Sequence, residues 1–131
     1  MQRSADWMDQ AQGDLEHARS SLELGHHDWA ALAAQQASEK AVKAVFQLLG
    51  AEARGHSVME LLQALESSGT ALPPGLLGVA GELDSVYLPS RYPDALPSSS
   101  PRRVYSLELA QRLIEHADRI VRFCQDLLAR P

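Results

Sequence analysis

Apolar residues recur at steps of three and four along most of the chain, which is the spacing of one face of an α-helix. The first such stripe ends before Gly25, a typical helix stop, and consists of Met8, Ala11, Leu15, Ala18 and Leu22. A second run of strong helix formers follows Asp28, a good N-cap residue, and continues to Gly50. The pattern predicts helices over about residues 4–24 and 29–49.

The next predicted helix begins at a capping box, in which a serine and a glutamate three residues later satisfy free backbone N–H groups. Ser57 and Glu60 have this spacing, and the apolar stripe behind them ends near Gly69. Five prolines between residues 72 and 100 leave room for one short helix, at about residues 75–87. Ser100 followed by Pro101 predicts the start of a last helix that continues nearly to the C-terminus.

No stretch shows the alternating pattern of a β-strand, so we expect an all-α fold. Short connections around Gly25 and Gly50 make neighbouring helices antiparallel. The expected architecture is an up-and-down bundle of four long helices and one short helix. A chain of 131 residues is the size of one domain, so the prediction is a single domain over residues 1–131.

Composition and charge narrow the classes of function. The net charge of −5 disfavours binding of nucleic acid by bulk attraction, so a contact with phosphate must be local. Cys124 is the single cysteine, which excludes an internal disulfide framework and favours a reducing, cytoplasmic setting. The sequence has no apolar run of the length of a membrane span, no signal peptide and no metal-ligand spacing. We expect no membrane association, no metal and no cofactor.

The second predicted helix carries one narrow polar stripe on an otherwise apolar surface. At about 100° per residue, the stripe consists of Gln36, Glu39, Lys40, Lys43 and Gln47. One interpretation is a solvated edge on which Glu39 pairs with a neighbouring lysine. The other is a cationic wall of a ligand cleft, with Lys40 and Lys43 as phosphate-binding candidates and Gln36 and Glu39 in support.

Two further places are candidates for phosphate binding. His56 precedes the cap of the third helix, where backbone N–H groups and the helix dipole favour an anion. The alternative is that His56 only closes a tight turn. In the segment from Ser90 to Asp94, Arg91 and Tyr92 combine a cation with an aromatic ring, which suits a phosphate and a stacked base. Arg91 and Asp94 could equally pin the loop to the fold.

These residues together resemble the HEPN domain family over almost the whole chain. The resemblance rests on Trp7, Asp14-Leu15, Ala18, the run Ala34-Gln35-Gln36-Ala37-Ser38-Glu39-Lys40-Ala41-Val42-Lys43-Ala44, Gly55-His56-Ser57, Leu61-Leu62 and Arg91-Tyr92-Pro93-Asp94. The run within the second helix is the most specific part. The resemblance implies an antiparallel bundle, commonly dimeric, that is often encoded beside a small nucleotidyltransferase in a module of the toxin–antitoxin kind. It also implies a shared groove near Lys40, Lys43, His56 and Arg91.

Many toxic members of the wider group are metal-independent endoribonucleases with an arginine followed closely by a histidine. This sequence departs from that pattern, since Arg91 is followed by Leu96, Pro97 and Ser98 where a histidine would stand. Arg19 and His26 have a similar spacing but lie near the end of the first helix. No catalytic residue is therefore assigned, and this departure from the pattern favours a protein that is not an enzyme.

The leading hypothesis is a HEPN-like homodimer that binds a nucleotide or RNA phosphate locally and acts with a nucleotidyltransferase partner. One alternative is an endoribonuclease toxin with a displaced site, in which folding brings His56 and Arg91 together. The other alternative is a non-catalytic helical module whose apolar surfaces serve only to form a dimer or hold a partner.

Overall fold

The N-terminal third of the protein is an antiparallel pair of helices, α1 (Ser4–Glu23) and α2 (His27–Leu48). The computed structural model describes residues 2–86 and 92–130. Gly25 makes the turn between the helices at φ +80°, a conformation that favours glycine. The N–H of Gly25 donates to the carbonyl of Leu22, and that of His26 donates to the carbonyl of Ser21, which closes the end of α1.

Helix α2 is the centre of the bundle and packs against every other helix that the structure describes. Small side chains on several sides of α2 allow the neighbouring helices to approach closely. Those that are buried include Ala30, Ala34, Ala37, Ala41 and Ala44. The larger side chains of the core come mainly from the surrounding helices, with Leu62, Leu65, Leu83, Leu113 and Ile120 fully buried.

Two ten-residue helices, α3 (Val58–Ser67) and α4 (Leu76–Ser85), pack against each other and against α2. The serine half of the predicted capping box is present, because Ser57 Oγ accepts the N–H of Glu60 at 3.1 Å. Helix α4 lies within the short helix predicted at residues 75–87, whose final residue falls outside the described ranges.

The last predicted helix is interrupted near its start. It consists of the four-residue α5 (Pro101–Val104) and the long α6 (Leu107–Ala129). Tyr105 and Ser106 have extended backbones, with ψ of 113° and 164°. Ser106 Oγ caps α6 by accepting the N–H of Leu109, and the break allows the ring of Tyr105 to be buried in the core. The prediction of one continuous helix from Pro101 missed this second cap.

The all-α class is confirmed: the described part of the chain contains six α-helices and a 3₁₀ turn at Pro93–Ala95, with no strand. The central helix packs along both α1 and α6. None of the helices in residues 2–86 and 92–130 is long and apolar enough to cross a membrane.

Candidate functional site

The polar stripe of α2 contains the predicted pair of Glu39 with a neighbouring lysine, Lys43, but it is not a solvated edge. Glu39 has only 4% of its surface exposed, and the side chains of Lys40 and Lys43 are 25% and 14% exposed. Each of the three charged groups has an oppositely charged partner within 3.1 Å. The stripe is therefore a row of paired charges that is largely enclosed by neighbouring elements.

Glu39 is the centre of the first part of this row. Lys43 Nζ donates to its Oε2 at 3.1 Å, and His56 Nδ1 lies 3.1 Å from its Oε1. Because a buried carboxylate is costly without partners, these two contacts explain how Glu39 is tolerated on a helix that is otherwise packed with alanine. The pairing links α2 to the turn before α3, and the imidazole itself stays 62% exposed.

Gln35 also binds the turn before α3, and it was not among the candidate residues predicted from the sequence. Its side chain is fully buried, and its Nε2 donates to the backbone carbonyl of His56 at 2.9 Å. Gln36 Nε2 in turn donates to Gln35 Oε1 at 2.6 Å. His56 is thus fixed both at its backbone and at its ring. The sequence feature that could have pointed to Gln35 is a polar residue among the buried apolar positions of α2.

Asp84 of α4 occupies the N-terminus of α3, where the sequence predicted an anion site. Its carboxylate accepts hydrogen bonds from Ser57 Oγ at 2.8 Å, from the N–H of Val58 at 2.7 Å and from the N–H of Met59 at 3.0 Å. The anion at this helix end is therefore the protein's own carboxylate. A phosphate that contacts His56 would have to do so through the side chain of His56.

Lys40 lies between two open hollows on the face formed by α1 and α2. Its Nζ is 2.7 Å from Asp14 Oδ2 on α1. The hollow on one side, here called the Trp29 hollow, has a volume of about 190 Å³ and is lined mainly by Asp14, His17, Trp29, Leu32, Gln36 and Lys40. The larger one, here called the Trp7 groove, has a volume of about 600 Å³ and is lined by Arg3, Asp6, Trp7, Asp9, Gln10 and Lys40.

The remaining stripe residues contact the start of α1. Lys43 Nζ lies 5.9 Å from the centroid of the Trp7 ring, a cation–π distance. Gln47 Oε1 accepts the backbone N–H of Arg3 at 3.0 Å. These contacts position Trp7 beside Lys40 and Lys43, so one aromatic ring and two ammonium groups share this part of the surface.

The proline-rich candidates are only partly described. Arg91 lies outside the described residues. Tyr92 is about half exposed, its carbonyl accepts the N–H of Ala95, and Asp94 is exposed in the same 3₁₀ turn. The structure brings Gln36, Glu39, Lys43 and His56 into one network with Lys40 adjacent, whereas the predicted grouping of these residues with Arg91 stays a prediction.

A second charged cluster joins α4 to α6. Glu82 accepts a hydrogen bond from Arg112 Nε, and His116 Nε2 is 3.5 Å from the same carboxylate oxygen. The hydrogen bond from Arg112 lowers the pKa of Glu82 below its ordinary value, and the positive charge of Arg112 adds to that effect. Within the described ranges, no three histidine, cysteine or acidic side chains come together as a metal site.

The architecture and the polar row place this chain among small helical-bundle proteins that have a charged network on the central helix. The sequence profile of the HEPN domain matches residues 4–127, and the chain belongs to the HEPN domain family. This confirms the family predicted from the motifs of α2 and its neighbours.

Three solved structures resemble the whole chain. A protein of Thermus thermophilus is 39% identical, with a TM-score of 0.93 over 97% of this chain and 99% of that one. A HEPN domain protein of Thermotoga maritima is 50% identical, with a TM-score of 0.78 over 96% and 99%. An archaeal HEPN homologue is 39% identical, with a TM-score of 0.81 over 96% and 98%. Among curated proteins, the sequence has no significant match.

Proposed function

We propose that this HEPN-family protein binds the phosphate of a nucleotide or RNA locally and acts with a nucleotidyltransferase partner in a module of the toxin–antitoxin kind. The observation that carries the proposal is that Lys40 lines both the Trp29 hollow and the Trp7 groove. A cation beside aromatic rings is a common combination in sites that bind the phosphate and the base of a nucleotide.

The charge balance of the site supports a local contact rather than an extended one. Lys40 and Lys43 are both matched by carboxylates, Asp14 and Glu39. A surface with paired charges does not accumulate a long polyanion by bulk attraction, in agreement with the net charge of −5. The ligand contact that fits this surface therefore involves one or two phosphates.

Titration of the purified protein with labelled RNA and with ATP, at low and physiological salt, tests the binding proposal. We expect Lys40→Gln to weaken binding, because the phosphate loses its ammonium partner. Arg122→Gln is the matched control, since it removes one positive charge from an exposed ion pair with Asp118 on α6. Equal affinities of the wild type, Lys40→Gln and Arg122→Gln proteins would contradict a phosphate contact at Lys40.

The partner and the homodimer form a separate part of the proposal, supported by apolar side chains that lie at the surface. These are Leu24 at the end of α1, Leu48 and Leu49 at the end of α2, and Val104 and Leu107 around the α5–α6 break. Exposed apolar side chains that are neighbours, as Leu48 and Leu49 are, suit contact with another chain. Coexpression with a minimal nucleotidyltransferase, followed by purification on one tag, tests the partner, and sedimentation of the protein alone tests the dimer. Failure of the two proteins to copurify would contradict the partner, and sedimentation as a monomer at high concentration would contradict the dimer.

One observation favours the endoribonuclease alternative. Glu39 orients the ring of His56 through Nδ1, in the way that a carboxylate positions an imidazole for acid–base catalysis. The same RNA titrations, run with a chelator and analysed for chain length, decide between binding and cleavage. Metal-independent cleavage that is lost in His56→Ala would establish the endoribonuclease. RNA that stays intact in every sample would contradict it and favour the binding function.

A further inference from the structure

The Trp29 hollow carries chemistry that the phosphate proposal does not use. One side of it is an aromatic ring, since Trp29 lies in the first turn of α2 and is 55% exposed. Leu32 and Ala33, on the next turn of the same helix, add apolar surface to the lining. A flat, half-exposed indole beside apolar surface suits the face of another aromatic ring.

The polar side chains that line the hollow are Asp14 and His17 of α1 and Gln36 and Lys40 of α2. Gln36 contributes an amide, which can both donate and accept, and Asp14 and Lys40 contribute a carboxylate and an ammonium group 2.7 Å apart. An amide can read the edge of a nucleobase, a carboxylate can accept hydrogen bonds from ribose hydroxyls, and an ammonium group binds a phosphate. Along α2 the lining thus changes from the aromatic Trp29 to the amide of Gln36 and then to the ammonium group of Lys40, which pairs with Asp14 of α1.

The dimensions agree with this order. A volume of about 190 Å³ is below the roughly 300–1,000 Å³ of pockets that enclose a whole drug-sized ligand, so the hollow accommodates one ring system. Beyond Lys40 the surface continues into the Trp7 groove of about 600 Å³, which leaves space for the rest of the ligand.

We propose that the Trp29 hollow is a nucleoside-phosphate site, in which the base stacks on Trp29, Gln36 contacts the base edge and Lys40 binds the phosphate. This inference rests on the proposed binding function and assigns it a location. The ligand is either a free nucleotide or one nucleotide within RNA, which share this chemistry.

The protein carries its own probe for the test, because Trp7 and Trp29 are its two tryptophans. In the variant Trp7→Phe, the intrinsic fluorescence reports on Trp29 alone. We expect AMP to quench that fluorescence in a saturable manner, and ribose 5-phosphate, which lacks a base, to bind more weakly. Quenching by AMP would show that a free nucleotide is sufficient for binding. Quenching only by a short oligoribonucleotide would show that the ligand is a nucleotide within RNA.

Affinities measured with fluorescently labelled ligands then separate the two proposals. Trp29→Ala should weaken binding roughly fivefold to hundredfold, the usual effect of losing one stacked base, and Trp29→Phe should restore most of the loss. Arg122→Gln, at an exposed position of α6 outside the Trp29 hollow, is the control and should bind as wild type. Wild-type affinity in Trp29→Ala, together with weakened binding in Lys40→Gln, would overturn this site and leave the phosphate contact standing. Absence of binding to AMP, ATP and RNA in every protein would overturn both.

Discussion

Glu39 Oε1 lies 3.1 Å from His56 Nδ1, and this contact joins the central helix α2 to an exposed imidazole. The other oxygen of the same carboxylate accepts from Lys43. A single buried acid therefore connects the central helix, a lysine beside Trp7 and the turn that leads into α3. Glu39 is thus the residue through which both His56 and Lys43 are joined to α2.

Replacing Glu39 should destabilise the fold. Glu39→Ala leaves Lys43 enclosed without its partner, and removal of one member of a buried ion pair typically costs about 3 kcal/mol or more. The measurement is the free energy of unfolding from urea titration. Glu52→Ala is the control, because the pair of Glu52 with Arg54 is almost fully exposed and should change the free energy by less than about 1 kcal/mol. Equal effects of the two substitutions would show that the Glu39 network is not structural.

Asp84→Ala tests the cap that α4 provides for α3. The substitution leaves three donors without their acceptor, namely Ser57 Oγ and the N–H groups of Val58 and Met59. We expect a loss of about 2 kcal/mol in the free energy of unfolding, at the upper end of the range for N-caps. Asp94→Ala removes an exposed carboxylate from a short turn and should leave that free energy nearly unchanged. Amide hydrogen exchange in the first turn of α3 should increase in Asp84→Ala alone.

The helices could be predicted from local sequence patterns, because apolar stripes and caps depend on residues that are neighbours in sequence. The cap at Ser57 was found from its spacing to Glu60, whereas Asp84 lies 26 residues beyond Val58 and shares no local pattern with it. The break at Ser106 was missed because the apolar stripe of α6 continues without a proline or glycine. The structure reveals it in the extended backbones of Tyr105 and Ser106 and in the hydrogen bond from the N–H of Leu109 to Ser106 Oγ.

The candidate site was predictable as a set of residue types but not as a set of partners. Helical projection placed Lys40 and Lys43 on one stripe with Glu39, and it could not show that Asp14 of α1 pairs with Lys40. Gln35 is not part of that stripe, and its role depends on the backbone carbonyl of His56, which belongs to the turn before α3. Partners that are distant in sequence become visible only when the helices are packed.

Acid should weaken the link between α4 and α6. Because Arg112 lowers the pKa of Glu82 in the folded state, the unfolded chain binds more protons than the folded one in the acidic range. The contribution of Glu82 to the stability of the fold is therefore fully present above its ordinary pKa of 4.5. It is lost as the pH falls through the lowered pKa of the folded state. Thermal unfolding of Glu82→Gln should show a smaller drop in Tm on acidification than the wild type does. Glu66→Gln, at an exposed position of α3, should keep the wild-type slope, and an equally flattened slope in both variants would contradict the assignment to Glu82.

Cys124 should be unreactive while the protein is folded. Its side chain is fully buried on α6, and burial raises the pKa of the thiol far above its ordinary value, so the reactive thiolate is absent at neutral pH. We expect no colour development with an aromatic disulfide reagent under native conditions and one equivalent after addition of urea, since the chain has a single cysteine. The rate of labelling at low urea concentration should follow the population of the unfolded state, and the destabilised Asp84→Ala protein should react faster than the wild type. Rapid labelling of the native wild-type protein would show that α6 opens locally at Cys124 without global unfolding.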